Sequence, residues 1–496
     1  MKNVESVYPL SPMQEGMLYH TVYAPGSGAY IGQVSFRLTG HVDLDAYGRA
    51  WRTVIERHAA LRTIFLWKEV KRPAQVVLRE VELPLEQLDW RGLGAQQQQA
   101  QLRAYLAQAR ARDFDLTRAP LMRLAVIELA ADARLFIWSY HHLMLDGWSV
   151  SMLFNELTAC FRAYARGAEP PRPQKPPRPY RDYIVWLQKQ DTPAAEKFWR
   201  RELVGASVPT PVPAKPAPGS EAGGMRQELR QIKLTAAELS ALQAFARRHR
   251  LTVNTVAQAA WGLLLSHHAD RQDVVFGATV SGRPPELPDV DTMIGMFINT
   301  LPVRLKFTPD EALAPWLQSL QARQVESRRY EYCSLKQIQT WCGVPRGTRL
   351  YDSLLAFHNY PGRSSAAGAG NGDAPGGATG IGDFRALSQL AYPLEMEVMP
   401  EPDATTLTLR YDAEQVEPAV VERVLGGFAA LLRGAGTLRD DATVGDLLAQ
   451  LRAADQRRQA AQAEAFAETA AKKLKGLKQG LRNRPQANPA GQTKNG

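Results

Sequence analysis

Within "SYHHLMLDGWS" (Ser139–Ser149) two adjacent histidines, His141 and His142, stand just ahead of an Asp146–Gly147 pair. Imidazole exchanges protons near neutral pH, so a histidine here suits accepting a proton or anchoring a nucleophile. The stretch before it, "ARLFIWSY", reads as a buried strand, and the stretch after it as an amphipathic helix. A loop between two such elements lies at a sheet edge beside the unpaired N–H groups of a helix start. Developing negative charge is favoured in that position. Gly147 lets a substrate or a backbone come close. Asp146 is short and sits at the helix start, so it needs a partner. The structural alternative is a pair of merely hydrogen-bonded histidines, and the motif alone does not decide between the two. The chain contains its own control: "SHHADRQD" carries His267 and His268 at a helix end without Asp-Gly at that offset, and no chemistry is assigned to it.

The elements that must hold this loop follow from periodicity. "YIGQVSFRLTG" (Tyr30–Gly40) alternates like a strand. After Asp43, the residues Leu44, Tyr47, Trp51, Val54, Ile55, His58 and Leu61 recur at helical spacing, and "TIFLW" is a short strand. "LMRLAVIEL" and "ARLFIWSY" form two strands joined by an Ala-Ala-Asp turn. Beyond Ser149 one helical face is marked by Val150, Leu153, Phe154, Leu157, Phe161 and Tyr164, and Gly167 ends that helix. "PPRPQKPPRP" (Pro170–Pro179) can neither continue a helix nor enter a central strand, so it reads as a linker. The second half repeats the strand–helix–strand alternation: "YRDYIVWLQKQ" and "AAEKFWRREL" are helical, and Thr235 with Glu238 makes a capping box. A helix near Thr255–Ser266 precedes the strand "DVVFGATVSG". Val208–Gly224 and Gly362–Gly382 read as loops, the latter too small and polar to pack. The divisions expected are residues 1–169, a linker at 170–179, residues 180–450, and a basic tail at 451–496 that is a linker or a docking element.

Composition sets the class. At 496 residues the chain exceeds what one core comfortably serves. Its 45% hydrophobic and 22% charged residues are those of an ordinary globular protein. No run is long and apolar enough to span a membrane, and "MKNVESVYPLSPMQEGM" lacks a signal-peptide core. Cys160, Cys333 and Cys342 offer neither a disulfide framework nor a zinc site; reduced thiols point to the cytoplasm. The net charge of +10 is concentrated, because ten Lys/Arg against three acids lie from Leu451 onward. The body is nearly neutral and carries no nucleic-acid motif. No metal-ligand cluster, Gly-x-Ser-x-Gly elbow or cysteine nucleophile motif is present, so no covalent acyl-enzyme is expected.

"HHLMLDGWS" resembles the His-His-x-x-x-Asp-Gly signature of condensation domains of nonribosomal peptide synthetases, and further motifs of that family follow in order. These are "SPMQEGMLYH" (Ser11–His20), "RHAALRTIF" (Arg57–Phe65), "YRDYIVW" (Tyr180–Trp186), "IGMFINTLPVR" (Ile294–Arg304), and "YEYCSLKQIQTW" with "LYDSLLAFHNYP" (Tyr330–Pro361). The likeness spans about residues 7–450 and leaves the tail uncovered. It implies an α/β fold of two chloramphenicol-acetyltransferase-like lobes in a V-shaped pseudo-dimer, with a central tunnel between them. It also implies donor and acceptor carrier proteins that dock at the tunnel's two ends, each supplying a thioester on a 4'-phosphopantetheine arm, with no cofactor bound to the domain itself.

By this resemblance His142 contacts the nucleophile, as general base or by positioning it, and His141 supports the loop. Asp146 pairs with Arg62, and the Gly147 N–H is a candidate oxyanion donor. Ser281, Asn299 and Trp148 are candidates for lining the tunnel. "DGWS" argues against epimerisation relatives, and the missing Asp-rich motif against heterocyclisation ones. "SPMQEGMLYH" and "YEYCSLKQIQTW" look like the subtype taking L-configured donors. His358 departs from relatives that carry an acidic residue there. The expected function is amide formation between carrier-bound substrates. The alternative is a free-standing enzyme that passes the chain to a soluble amine or alcohol, since no adenylation segment or Gly-Gly-x-Ser carrier signature is present. A non-catalytic recruiting platform fits less well, because the histidine is retained.

Overall fold

The computed structural model describes residues 3–26, 28, 30–173, 175–215, 226–345, 347–358, 378–387, 392–401 and 404–482. Asn359–Pro361, most of the Gly/Ala-rich stretch and the chain beyond Arg482 lie outside the described residues.

The first half runs β1 (Val4–Pro9), α1 (Pro12–Tyr23), β2 (Ile31–Gly40), α2 (Leu44–Arg57), β3 (Thr63–Leu66), β4 (Ala74–Leu78), β5 (Leu85–Asp89), α3 (Ala95–Ala111), β6 (Met122–Ala130), β7 (Ala133–His141) and α4 (Gly147–Ala165). Asp43 caps α2 by accepting from the Ala46 N–H at 2.9 Å, and Tyr47, Trp51, Val54 and Ile55 bury its apolar face. β7 is central in a sheet ordered β12-β2-β7-β6-β5, where β12 is Ala378–Leu387. It is flanked antiparallel by β2 and β6, with Ile31 opposite His141 and Phe36 opposite Phe136. Because β7 is covered on both faces, the chain leaves the sheet only at its end, where His141 stands. β1, β4 and β3 form a small separate sheet.

The described residues of 170–179 contain no helix or strand. Beyond them come α5 (Tyr180–Leu187), α6 (Thr192–Leu203), β8 (Gln227–Leu234), α7 (Ala236–Arg248), α8 (Val253–Ala269), β9 (Asp273–Val280), β10 (Asn299–Lys306), α9 (Leu313–Arg328), α10 (Leu335–Trp341), β11 (Ser353–Phe357), β12, β13 (Leu394–Pro400), β14 (Thr405–Asp412), α11 (Pro418–Thr437) and α12 (Val444–Arg482). The second sheet is ordered β10-β9-β11-β13-β14-β8. One of its faces packs Leu355, Met396, Val398, Leu409 and Tyr411 against a core shared with Trp261 and Phe428. The capping box at Thr235 and Glu238 forms, with Oε2 of Glu238 2.9 Å from the Thr235 N–H.

One expectation is corrected. Ala378–Gly382 is not loop but the start of β12, which pairs antiparallel with β2, Ile381 opposite Leu38. A strand of the second half thus closes the edge of the first half's sheet, and the ladder rests on backbone groups that need no apolar side chains. Ile294 and Met296 likewise join the first lobe's core. α12 starts at Val444, and Val444, Leu447 and Leu451 are buried in the second core before the helix turns polar, so the basic stretch from 451 continues a helix that opens inside the globular body.

Candidate active site

β7 delivers His141 and α4 begins at Gly147, so five residues bridge a sheet end and a helix N-terminus. Of residues 141–146, His141, Leu143, Met144, Leu145 and Asp146 are buried and His142 alone retains exposure. Three of these five pack as apolar anchors in the first lobe's core. The loop is therefore a rigid plug that holds out one imidazole.

The two rings have separate duties. His141 Nδ1 accepts from the Leu143 N–H at 3.1 Å, and its Nε2 lies 3.3 Å from the Thr21 hydroxyl. Burial, aided by the neighbouring His142, pushes its pKa down to about 3, so it is a neutral brace. His142 Nδ1 lies 3.0 Å from the Leu145 carbonyl. A carbonyl can only accept, so Nδ1 carries the proton and Nε2 the lone pair. The His142 N–H donates to the Tyr30 carbonyl at 2.8 Å, and the Tyr140 ring stands 5.3 Å away. Burial draws the His142 pKa below its ordinary value, the Leu145 carbonyl and Asp146 oppose this, and Arg410 of β14 reinforces it. The ring thus feels a charge from the second lobe while anchored in the first.

A neutral Nε2 is the form that can accept a proton, and it is lost on protonation. Activity dependent on it is therefore retained as pH falls through the ordinary histidine range near 6.5 and declines only below that. A pH profile of kcat/KM should place its acid limb under pH 6.5; a limb at or above that value would contradict the assignment.

Asp146 is the inter-lobe lock. As cap of α4 its Oδ1 accepts from the Ser149 N–H at 2.7 Å, while Oδ2 accepts from the N–H groups of Phe297 (3.1 Å) and Ile298 (3.3 Å). The Asp146 N–H donates to the Gly295 carbonyl at 3.2 Å. Its cationic partner is not Arg62 but Arg283, with Nη2 3.6 Å from Oδ1 and both side chains wholly buried. Arg62 sits on the 3-10 turn Ala59–Arg62 facing β1 and β4, and spends its donors on Glu5 (2.6 Å) and on the carbonyls of Ile55, Leu78 and Arg79. Asp146 meets Ser149, Phe297, Ile298 and Arg283, and Arg62 shares none of these partners, so the two do not pair.

Arg283 also donates to the carbonyls of Val290 (2.5 Å) and Met293 (2.9 Å) and to the Ser149 hydroxyl (3.1 Å), beneath the Phe297 ring at 4.1 Å. The stretch "SGRP" (Ser281–Pro284) points by its sequence to Ser281, yet it is Arg283 that holds the network. Ser281 is exposed, and its hydroxyl faces the Arg283 N–H at 3.4 Å. Asn299 is buried and acts as a strut: its amide donates to the Glu331 and Cys333 carbonyls, both at 2.7 Å. Trp148 is half-buried and spans the lobes through an indole bond of 3.1 Å to the Asp291 carbonyl.

Two glycines make the seam close enough. A Cβ on Gly295 would overlap the Tyr180 ring, and one on Gly282 (φ +64°) would overlap the Phe297 carbonyl. Tyr180 in turn donates to the Met296 carbonyl at 2.5 Å. The motifs "YRDYIVW", "SGRP" and "IGMF" therefore meet behind Asp146. His358 lies 3.9 Å from Glu397, which pairs with Arg410 at 3.0 Å. Among the described residues no group of three or more His, Cys, Asp or Glu side chains could hold a metal ion, and no helix is long and apolar enough to cross a membrane.

A family model described as "Condensation domain" matches residues 4–441. The chain is 43% identical to one of the linear gramicidin synthases of Brevibacillus parabrevis over 86% of its own length and 8% of that protein's. It is 32% identical to surfactin synthase subunit 3 of Bacillus subtilis (strain 168), over 85% and 32% respectively. The chain thus spans less than a tenth of the linear gramicidin synthases it matches. Among solved structures, the first condensation domain of the calcium-dependent antibiotic synthetase superposes with a TM-score of 0.70 at 18% identity, covering 89% of this chain and 99% of that one. The starter condensation domain of rhizomide synthetase RzmA gives 0.72 at 18% identity, covering 88% and 96%. These likenesses show the fold: α/β, of the chloramphenicol-acetyltransferase-like type.

Proposed function

This chain belongs to the condensation-domain family, and from that premise we propose that it joins an acceptor amine to a carrier-bound acyl or peptidyl thioester. The amine nitrogen attacks the thioester carbon, the C–S bond breaks, and the released thiolate takes up the proton that the nitrogen gives up. An amide and a free carrier thiol result. The donor carrier protein brings the acyl chain on its 4'-phosphopantetheine arm, and a second carrier or a soluble molecule brings the amine. The motifs at Ser11–His20 and Tyr330–Trp341 favour a donor ending in an L-configured residue. The reaction site is the passage between the lobes, residues 1–169 and 180–450.

One observation carries this reading: in a loop otherwise buried, only His142 stays open, with its lone pair on Nε2 and no hydrogen-bond partner for that atom among the described residues. In the proposed mechanism Nε2 accepts the hydrogen bond of the attacking amine and orients it. The thioester oxygen becomes an oxyanion beside the first turn of α4, where the Gly147 N–H and the helix dipole favour negative charge. Asp146 and His141 move no proton; they fix the loop. Retention of an open, neutral His142 argues against a recruiting platform.

The test is incubation with acyl-loaded carrier protein and a panel of carrier-bound amines, soluble amines and soluble alcohols, read by intact-protein mass spectrometry. The expected result is the summed acyl and aminoacyl mass on the acceptor carrier. Product from alcohols alone would replace amide formation with ester-forming chain release, and no product from any acceptor would overturn the proposal.

A further inference from the structure

The motif "SPMQEGM" lies far from His142 in sequence, yet one of its side chains reaches the catalytic loop. Ser11 caps α1 by accepting the Gln14 N–H at 3.2 Å, and Gln14 Oε1 returns the favour by accepting the Ser11 N–H at 2.9 Å. Were this all, the pair would be an ordinary capping box. The other end of the same amide donates instead to the Leu143 carbonyl at 2.8 Å, 129 residues away. Because the Ser11 N–H can only donate and the Leu143 carbonyl only accept, the orientation of the Gln14 amide is fixed by its surroundings. Gln75 of β4 clamps it from the side, with Nε2 3.0 Å from Gln14 Oε1 and also 3.0 Å from the Pro9 carbonyl. Ser11, Gln14 and Gln75 are each at most 2% exposed.

Leu143 lies between the two points that set the imidazole, namely its own attachment at residue 142 and its Nδ1 partner, the Leu145 carbonyl. The Leu143 N–H is already committed to His141, and its side chain is wholly buried. Its carbonyl is thus the remaining polar group of that residue, and a buried carbonyl without a partner drives the backbone to rearrange. We infer that Gln14, clamped by Gln75, is a positioning residue for His142, fixing the Leu143 carbonyl and with it the direction of Nε2. For its activity readout the inference rests on the function proposed above.

The experiment separates this duty from helix capping. In the full chain, Gln14→Met removes both roles, Gln14→Glu keeps the oxygen that caps α1 but lacks the N–H for Leu143, and Ser11→Ala removes the cap hydroxyl while leaving the Gln14 amide in place. The expected result is a fall in kcat of at least about tenfold for Gln14→Met and Gln14→Glu, with the acceptor KM within about twofold of wild type. Ser11→Ala should lower the melting midpoint yet keep kcat within about twofold, and Gln75→Met should show a smaller fall of kcat than Gln14→Met. Histidine-selective 15N NMR supplies a readout independent of turnover. The Nδ1-protonated signature of His142, identified by its loss in His142→Ala, should change in the Gln14 variants and persist in Ser11→Ala. Gln14→Glu with wild-type kcat and an unchanged His142 signal would overturn the inference, as would equal kcat losses in Gln14→Glu and Ser11→Ala. A wild-type chain inactive toward every acceptor would instead defeat the proposed function, and the NMR comparison would still decide the role of Gln14.

Discussion

His142→Ala is expected to lower single-turnover amide formation by about 10²–10⁴-fold, the range over which a positioned proton acceptor contributes, while carrier binding and melting behaviour stay close to wild type. The stability expectation follows from the ring's half-buried position and its single internal bond, to the Leu145 carbonyl, whose loss costs about 1 kcal/mol. His141→Ala should do the reverse. That ring is buried, holds the Leu143 N–H and meets Thr21, so its removal leaves a buried donor unpaired and a void, and should destabilise the fold by about 2–4 kcal/mol. Denaturant unfolding and rapid-quench turnover of the two variants side by side would check the division of labour. A His142→Ala chain with wild-type turnover would remove that residue from the chemistry.

Arg283→Met is expected to destabilise the chain by about 3–5 kcal/mol, because it leaves the Asp146 carboxylate buried without its cation. Asp146 keeps its three N–H donors from Ser149, Phe297 and Ile298, so the chain should still fold, but the seam should loosen and turnover fall. The pairing itself is tested by two double-mutant cycles on denaturant midpoints. Asp146→Asn with Arg283→Met should show a coupling above about 1 kcal/mol, since the two side chains share one buried network. Asp146→Asn with Arg62→Met should be additive within about 0.5 kcal/mol, because Arg62 is spent on Glu5 and backbone carbonyls. The opposite pattern would restore the Asp146–Arg62 pair that the family resemblance suggests.

What was legible in the sequence follows the range of the interaction that decides each feature. The strand ending at His141, the helix after Asp146, the cap at Asp43 and the box at Thr235 and Glu238 are local, set by periodicity and by side chains three residues apart. The histidine chosen for chemistry is the one left open, because a hydrophobic Leu-Met-Leu triplet beside it has to bury itself. Partners distant in sequence were not legible: Arg283 and Ser149, from different lobes, are 134 residues apart, and Gln14 and Leu143, within one lobe, are 129 apart. No spacing rule connects them, and "SGRP" draws attention to its serine rather than to Arg283. β12 was hidden for a different reason. Its Gly/Ala-rich start lacks the alternation of a strand, and it is recruited by the open edge of β2 through backbone bonds.

The central claim is that the lone pair on Nε2 of His142 meets the attacking amine between the lobes. A crystal structure of the chain with a non-hydrolysable acyl-thioester analogue and a pantetheine-linked amine tests it directly. The account predicts the amine nitrogen about 3 Å from His142 Nε2, with the acyl carbonyl oxygen at the first turn of α4. An amine bound in the passage but out of hydrogen-bond reach of that nitrogen would contradict it.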